Sequence, residues 1–386
     1  MRAGSSAGPQ PHGCYRDGMP DGPSATFVPV TLREPPPRVQ WGADALRMSG
    51  LEQMRAVRDH RLPEPPISTL TGLRATDVGL GKATFAMPAS PWWQSGAGVF
   101  LAGTLAFVAD APLSCAILTS APPGTGVSTS ELSVNFLRPA GIGSESLIAR
   151  GRLIHETRST GLAEALIEDG HGRLLAHATS RCILTPIPAA VAEALKSQET
   201  SRTLPPGRLA PYLTQPEGEV YGQEVWDTTP GIDLMRRFID GHFSPPVFRL
   251  MGIHGISLSE GEMTVAMPAS GWHLNALGVI YGGSLALLAD AAITVATATI
   301  VPPATAFSPL DLKINYLRPA FPTDGELVAR ARLVHRGRTI AVVTCEIVNA
   351  AGKVVVIASG SVLILPGRPW DRPVHVQDEL AASAGA

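Results

Sequence analysis

Two neighbouring glycines, Gly282 and Gly283, stand inside a long apolar stretch, Val279 to Val301, that contains no lysine, arginine or glutamate. If a helix begins at this pair, its first backbone N–H groups are unpaired and lie at the positive end of the helix dipole. Such groups can stabilise an oxyanion, and glycine lets a reacting carbonyl approach the backbone closely. Asp290 in this stretch and Asp110 in a similar one can act as a nucleophile or as a base for water. A glycine pair before a helix is weak evidence by itself.

A duplication surrounds these residues, because the sequence matches itself after a shift of 180 positions. The matched positions include Met87-Pro88-Ala89-Ser90 with Met267-Pro268-Ala269-Ser270, Gly103 with Gly283, Asp110 with Asp290, and Leu137-Arg138-Pro139-Ala140 with Leu317-Arg318-Pro319-Ala320. A period this long indicates a duplicated whole domain and not a solenoid of short repeats.

Each copy predicts one long helix packed on an antiparallel meander, which is an α+β layer architecture. The apolar stretch approaches the length of a membrane span, but its glycine pair, Asp290 and its twin at Val99–Ala121 favour a helix wrapped by a sheet. In the second copy the pattern predicts a short helix at Ile232–Asp240, a hairpin turn at Asn349–Gly352, and strands at Asp311–Leu317, Glu326–His335, Thr339–Val348 and Val354–Leu365.

Composition divides the chain further. We expect a disordered leader at 1–38, the first domain at 45–187, a linker at 188–229 with a helix at Ala189–Ser197, the second domain at 230–367, and a C-terminal tail at 368–386. The 386 residues are 45% hydrophobic and 17% charged with a net charge of −2, which disfavours nucleic-acid binding. The four cysteines are widely spaced, so we expect neither a disulfide framework nor a zinc site, and a cytoplasmic location.

The run Asn275-x-x-Gly278-x-x-Tyr281-Gly282-Gly283, with Asp290 after it, resembles the hotdog-fold acyl-CoA thioesterases of the phenylacetate-pathway type. That family has His where this chain has Tyr281, and it also resembles the chain at the Leu-Arg-Pro-Ala strand ends and at Gly337–Ala341. The resemblance covers residues 67–187 and 247–367. It implies two hotdog domains in tandem that hydrolyse an acyl-CoA thioester without a metal or redox cofactor, and it leaves open homo-oligomers of such units.

In that family each active site takes its residues from two domains, and here the two repeats would supply them. Site one would combine Asn275, Tyr281 and Gly282 of the second copy with Asp110 and Thr129 of the first. Site two would place Asp290 against the start of the first copy's helix, at Ala102 and Gly103. Most of its polar positions have changed, because Ser95 stands in place of the Asn, Leu101 in place of the His, and Pro309 in place of the Ser or Thr. The resemblance therefore implies one working site and one degenerate site. Further substrate contacts are implied at Gly283, Arg338, Thr339 and Arg158.

Other interpretations of these residues stay open at the level of sequence. Asp110 can cap a helix that restarts at Ala111-Pro112, since proline suits a first helical turn and would kink a continuous helix. Asn275 can simply fix a turn, and Asp290 can bond a facing backbone group. Tyr281 can donate a hydrogen bond but will not serve as a base at neutral pH.

Other functions also remain. The chain can be a non-catalytic acyl-CoA or lipid-binding protein, or a hotdog dehydratase or hydratase. The second class uses a His paired with a carboxylate, and the sequence places no His at either predicted helix start. A serine hydrolase is disfavoured because no Gly-x-Ser-x-Gly run is present.

Overall fold

The computed structural model describes residues 28–33, 35–187, 200–203 and 209–368. Two copies of one α+β unit follow each other along the chain. The helices are α1 Val30–Arg33, α2 Ala43–Arg47, α3 Gly50–Arg58, α4 Pro66–Thr71, α5 Gly103–Leu118, α6 Gln223–Thr228, α7 Gly231–Ile239, α8 Pro246–Met251 and α9 Gly282–Ala298. The strands are β1 Arg38–Gln40, β2 Arg74–Gly79, β3 Lys82–Pro88, β4 Thr125–Phe136, β5 Ser146–Glu156, β6 Thr160–Asp169, β7 Leu174–Pro186, β8 Ser201–Thr203, β9 His254–Ser259, β10 Glu262–Pro268, β11 Thr305–Tyr316, β12 Glu326–Arg336, β13 Ile340–Val348 and β14 Val354–Pro366.

The long helices α5 and α9 form the centre of the two units. Both consist almost entirely of small and apolar residues, and nearly every residue of each is buried against the sheet. A helix that is apolar on all sides is stable in water only when it is covered in this way. The predicted hotdog architecture, one long helix wrapped by an antiparallel sheet, is confirmed in both copies. Of the helices in the described residues, none combines the length and hydropathy needed to cross a membrane.

The two sheets join edge to edge into one sheet of twelve strands, in the order β2-β3-β5-β6-β7-β4-β11-β14-β13-β12-β10-β9. The junction is the antiparallel pair β4 and β11, in which Ser133 lies opposite Lys313. These two residues are themselves 180 positions apart, so the pairing maps onto itself when the copies are exchanged. The two copies are therefore related by a pseudo-twofold axis, which follows directly from the register of the central strands.

One strand differs clearly from its prediction, because β11 begins at Thr305 and not at Asp311. The register with β14 shifts between Pro309 and Asp311. Proline has no N–H for the ladder and is tolerated in a sheet at such a bulge. The bulge interrupts the alternation of apolar and polar residues, which hides the first part of the strand from the sequence pattern.

Part of the predicted leader and linker is packed onto the two units. The Ser270 hydroxyl donates to the carbonyl of Thr31 (2.9 Å), so the segment that precedes the first copy lies on the second. The Ser90 hydroxyl donates to the carbonyl of Tyr212 (3.3 Å), so the segment that precedes the second copy lies on the first. The prediction of a disordered leader is therefore wrong for Val30–Arg33. The predicted linker helix Ala189–Ser197 lies outside the described residues, and the domain boundaries stay predictions.

Candidate active site

The N-terminus of α9 supplies the backbone part of the site. Tyr281 is the N-cap and Gly282 is the first helical residue. The N–H of a first helical residue has no intrahelical acceptor, and no described residue outside the helix accepts from Gly282. A carbonyl oxygen of a ligand can therefore take this N–H, as an oxyanion hole requires.

Asp110 of α5 reaches across the interface between the two copies to this helix start. Its Oδ2 accepts from the backbone N–H of Gly283 at 3.0 Å, and its Oδ1 accepts from the Thr129 hydroxyl at 3.0 Å. A side chain on Gly282 would contact this carboxylate, since an added Cβ would lie 2.8 Å from Oδ2. The structure thus brings Asp110, Thr129 and Gly282 together, as the sequence predicts for site one.

Burial controls the charge of this carboxylate. Asp110 is 3% exposed. Desolvation raises its pKa to about 6, although the hydrogen bonds from Thr129 and Gly283 favour the charged form and oppose the shift. Tyrosines and thiols lie near it, and desolvation raises the pKa of Cys115 and of Cys182 to about 12. These thiols do not ionise near neutral pH, so Asp110 is the group of this site that changes charge there.

This pKa predicts the pH dependence of any reaction that needs the ionised carboxylate. A nucleophile or a base is active when deprotonated, so kcat/KM should rise with pH through about 6 and then level off. A pH–rate profile from 4.5 to 9 measures this limb. The Asp290→Asn variant is the control, because burial also raises the pKa of Asp290, to about 7. If the limb is absent, or if it disappears in Asp290→Asn, a carboxylate other than Asp110 controls the rate.

Asn275 lies in the loop before α9 and lines the same cavity as Asp110. Its Oδ1 accepts from the backbone N–H groups of Leu277 (2.9 Å) and Val279 (3.3 Å), which fixes the loop. The turn interpretation is therefore correct for the amide oxygen. The amide nitrogen is not used by these two contacts, and Asn275 can still donate it to a ligand.

Tyr281 does not donate to the substrate position that the sequence suggested. Its hydroxyl donates to the Phe107 carbonyl (2.7 Å) and accepts from the Ala111 N–H (2.9 Å), both in α5. Burial also raises the pKa of Tyr281 well above its ordinary value, so the phenol stays neutral. Tyr281 also lines the cavity, but its hydroxyl donates to the backbone of the opposite helix, so a contact of Tyr281 with the reacting group stays a prediction.

Helix α5 continues through Pro112 to Leu118 without a break. The alternative in which a new helix starts at Ala111-Pro112 is therefore wrong, and the Asp110 carboxylate accepts from Gly283 of the other copy and not from its own helix. Gly283 is corrected as well, because its N–H is already used by Asp110 and is not free for substrate.

The cavity at this site has a volume of about 500 Å³ and mostly apolar walls. The second cavity, about 510 Å³, is related to it by the duplication and is lined by Ser95, Leu101, Ala102 and Pro309 among others. Asp290 is not among the residues that line it. Its Oδ2 accepts from the Gly103 N–H at 2.6 Å, which is the facing backbone group that the structural interpretation requires.

The remaining predicted contacts are distributed unevenly. Ser95 fixes its loop through its hydroxyl, which donates to the Val99 carbonyl at 2.8 Å. Arg158, Arg338 and Thr339 are exposed on strand connections and line neither cavity. The structure does not bring these three residues to the site, and their contact with substrate stays a prediction.

Sequence reasoning missed Tyr316, a cavity residue at the end of β11. Its hydroxyl donates to the Gly282 carbonyl at 3.0 Å, which helps to hold the helix start. The equivalent residue of the first copy is Phe136, which has no hydroxyl. This difference between the copies was readable from the repeat, but the sequence does not show which backbone group the hydroxyl reaches.

His273 lies in the loop before α9 and was not considered from the sequence. Its side chain is fully buried, contacts the Met251 carbonyl through Nε2 (3.1 Å) and does not line the cavity. Burial lowers its pKa to about 4. In the described ranges, no three His, Cys, Asp or Glu side chains form a group that could hold a metal ion.

The fold and this site define a tandem hotdog protein, and comparisons with known proteins agree. The profile of the thioesterase superfamily matches residues 97–176 and 277–356, once in each copy. A "Putative esterase" of Archaeoglobus fulgidus is 33% identical over 117 residues, which are 30% of this chain and 73% of that protein. Another of the same description, from Halobacterium salinarum, is 30% identical over 131 residues, 33% of this chain and 83% of that protein. The chain belongs to the thioesterase superfamily.

Two solved structures are similar to parts of this chain. The PaaI protein from the phenylacetic acid degradation operon of E. coli is 32% identical and covers 31% of this chain and 84% of its own, with a TM-score of 0.29. The tesB protein of Mycobacterium avium is 14% identical and covers 78% of this chain and 98% of its own, with a TM-score of 0.47.

Proposed function

We propose that the protein hydrolyses an acyl-CoA thioester to a free acid and CoA at one site between the two repeats. The observation that supports this most is the pairing of Asp110 with the start of α9. A carboxylate bonded by Thr129 and Gly283 lies beside the unpaired Gly282 N–H, at the wall of a largely apolar cavity. Thioester hydrolysis needs these three parts: a basic or nucleophilic group, an oxyanion donor, and space for an acyl group.

The reaction follows from the position of these groups. The thioester carbonyl accepts the Gly282 N–H, which stabilises the charge that develops on its oxygen. Asp110 either attacks the carbonyl carbon or removes a proton from the attacking water, and both roles require the ionised carboxylate. One water is consumed, the carbon–sulfur bond breaks, and CoA leaves as a thiol.

The second cavity offers similar space but differs in the other two parts. Ala102 places a methyl group where Gly282 has none, Pro309 has no hydroxyl at the position of Thr129, and Asp290 does not line the cavity. We therefore assign the activity to the Asp110 site alone.

Incubation with a panel of acyl-CoA esters and a thiol reagent tests this function. The panel should include short, medium and long straight chains and an aromatic acyl group, with an oxygen ester of the same acid as the control. We expect release of one thiol per thioester cleaved and no cofactor requirement. Tight binding of an acyl-CoA without thiol release would indicate the non-catalytic binding function instead.

A dehydratase or hydratase of the same fold is the other alternative. His273 does not support it, because the imidazole is buried against Met251 and outside the cavity. Formation or loss of a double bond in a hydroxyacyl- or enoyl-CoA, followed by absorbance, distinguishes this chemistry from hydrolysis.

A further inference from the structure

The hydroxyl of Tyr281 contacts the backbone of one turn of the opposite helix, α5. Phe107 and Ala111 are four residues apart, so their carbonyl and N–H belong to the same helical turn, and the Tyr281 hydroxyl contacts both. The phenol ring also packs edge-on against the Phe107 ring, with centroids 5.1 Å apart. A polar group that bridges a helical turn in this way is one cause of local opening in a helix.

Pro112 explains why this turn is open to a side chain. Proline lacks the N–H that would donate to the carbonyl of Val108, and its ring pushes that carbonyl away. The turn that ends at Pro112 therefore cannot close completely with its own backbone hydrogen bonds. The Tyr281 hydroxyl bonds the next pair of backbone groups in this turn, the Phe107 carbonyl and the Ala111 N–H.

The strand that covers this turn also fits it. Gly151 of β5 lies directly over Pro112, and an added Cβ would be 2.3 Å from the Pro112 carbonyl oxygen. No side chain can be accommodated at this distance without movement of the helix or the strand. The helix thus lies very close to the sheet at the residue where proline interrupts its hydrogen bonds.

The equivalent contact around α9 has none of these three features. The positions equivalent to Tyr281, Pro112 and Gly151 are Leu101, Ala292 and Ala331. Helix α9 therefore has the N–H that α5 lacks, and a leucine and an alanine stand at the positions of Tyr281 and Gly151. The three differences occur together, around the helix whose aspartate, Asp110, lines a cavity.

We propose that Tyr281 is a positioning residue that holds the turn opened by Pro112 and thereby places Asp110 against the start of α9. Asp110 lies between Phe107 and Ala111 in sequence, so the two backbone groups that Tyr281 binds flank it in the same turn. Tyr281 and Gly283 come from one segment of the second copy, so this segment contacts both the backbone and the carboxylate of the Asp110 turn. This inference depends on the proposed function only for its kinetic test.

A double-mutant cycle of Tyr281→Phe and Pro112→Ala tests the coupling. Tyr281→Phe removes only the hydroxyl, and we expect it to lower kcat by about 10²-fold, because a small displacement of a reacting group has an effect of this order. KM should change little, because the ring of Tyr281 is kept and the hydroxyl that is removed bonds α5. In the Pro112→Ala background the helix can close its own turn, so the same tyrosine change should lower kcat much less.

Tyr316→Phe is the matched control, because this hydroxyl bonds Gly282 and not α5. Its effect should be equal in the two backgrounds. Equal effects of Tyr281→Phe in both backgrounds, or a change in KM with kcat unaltered, would overturn the inference while hydrolysis by the wild type upheld the proposed function.

Thermal unfolding of the wild type, Tyr281→Phe, Pro112→Ala and the double variant gives a measurement that does not need activity. Tyr281→Phe should lower the unfolding midpoint more in the wild-type background than in the Pro112→Ala background. If the wild type releases no thiol from any acyl-CoA, the proposed function fails, and this cycle still decides between a coupled and an uncoupled Tyr281. Additive shifts of the midpoint would contradict the bridge.

Discussion

Asp110→Asn should lower the rate of thioester hydrolysis at least about 10²-fold, because a positioned nucleophile or base contributes an effect of this size or more. Asparagine has the same shape, and its amide oxygen can still accept from Gly283 or Thr129. The variant should therefore fold normally and retain substrate binding. Initial rates with the best acyl-CoA of the panel, together with the unfolding midpoint, measure both expectations.

Asp290→Asn is the matched control for this prediction. Asp290 is equally buried in the equivalent helix and bonds Gly103 as Asp110 bonds Gly283, but it does not line the second cavity. Most of the activity should remain. An inactive Asp290→Asn protein beside an active Asp110→Asn protein would reverse the assignment of the two sites.

Gly282→Ala should also reduce the rate, by about 10²-fold or more, which is the typical effect of losing one oxyanion-hole donor. The substitution keeps the N–H, but its methyl group would lie 2.8 Å from Asp110 Oδ2 and would displace either the carboxylate or the helix start. The same methyl group would stand beside the N–H that the thioester oxygen needs. Alanine is already present at the equivalent position of the other copy, Ala102.

Ala102→Gly is the reverse change and serves as the control. It removes the methyl group from the second cavity, but Pro309 still has no hydroxyl and Asp290 still does not line the cavity. We expect no measurable gain in rate. A large gain would mean that the second cavity needs only the glycine, and the Asp110 site would then not be the single active site.

The sequence repeat determined much of the fold in advance. The offset of 180 positions predicted two equivalent units, and the twin apolar stretches predicted the two buried helices. Long stretches of one periodicity are readable because every turn or pair of residues repeats the same burial. The packing of the leader and the linker was not predicted, because these segments are short and show no such periodicity. Thr31 and Tyr212 occupy equivalent places at an offset of 181, but the short segments around them have few matching residues.

The candidate site was predictable where it depends on spacing along the chain. The meeting of Asp110, Thr129 and Gly282 follows from the resemblance together with the pairing of the two copies. The partner of Tyr281 was not predictable, because it depends on where a side chain of one copy crosses into the other. Comparison of the two copies does show that Tyr281, Pro112 and Gly151 differ from their equivalents, but only the contacts in the structure show that the three residues act at one place.

The central claim, one working site formed by both repeats, is tested most directly by calorimetric titration with a non-hydrolysable thioether analogue of the best acyl-CoA substrate. The wild type should bind about one molecule per chain, because the second cavity lacks the glycine and the hydroxyl that the first site uses. Gly282→Ala should weaken this binding, whereas Ala102→Gly should leave it unchanged. Two equal sites per chain, or a single site that Gly282→Ala does not affect, would contradict the account.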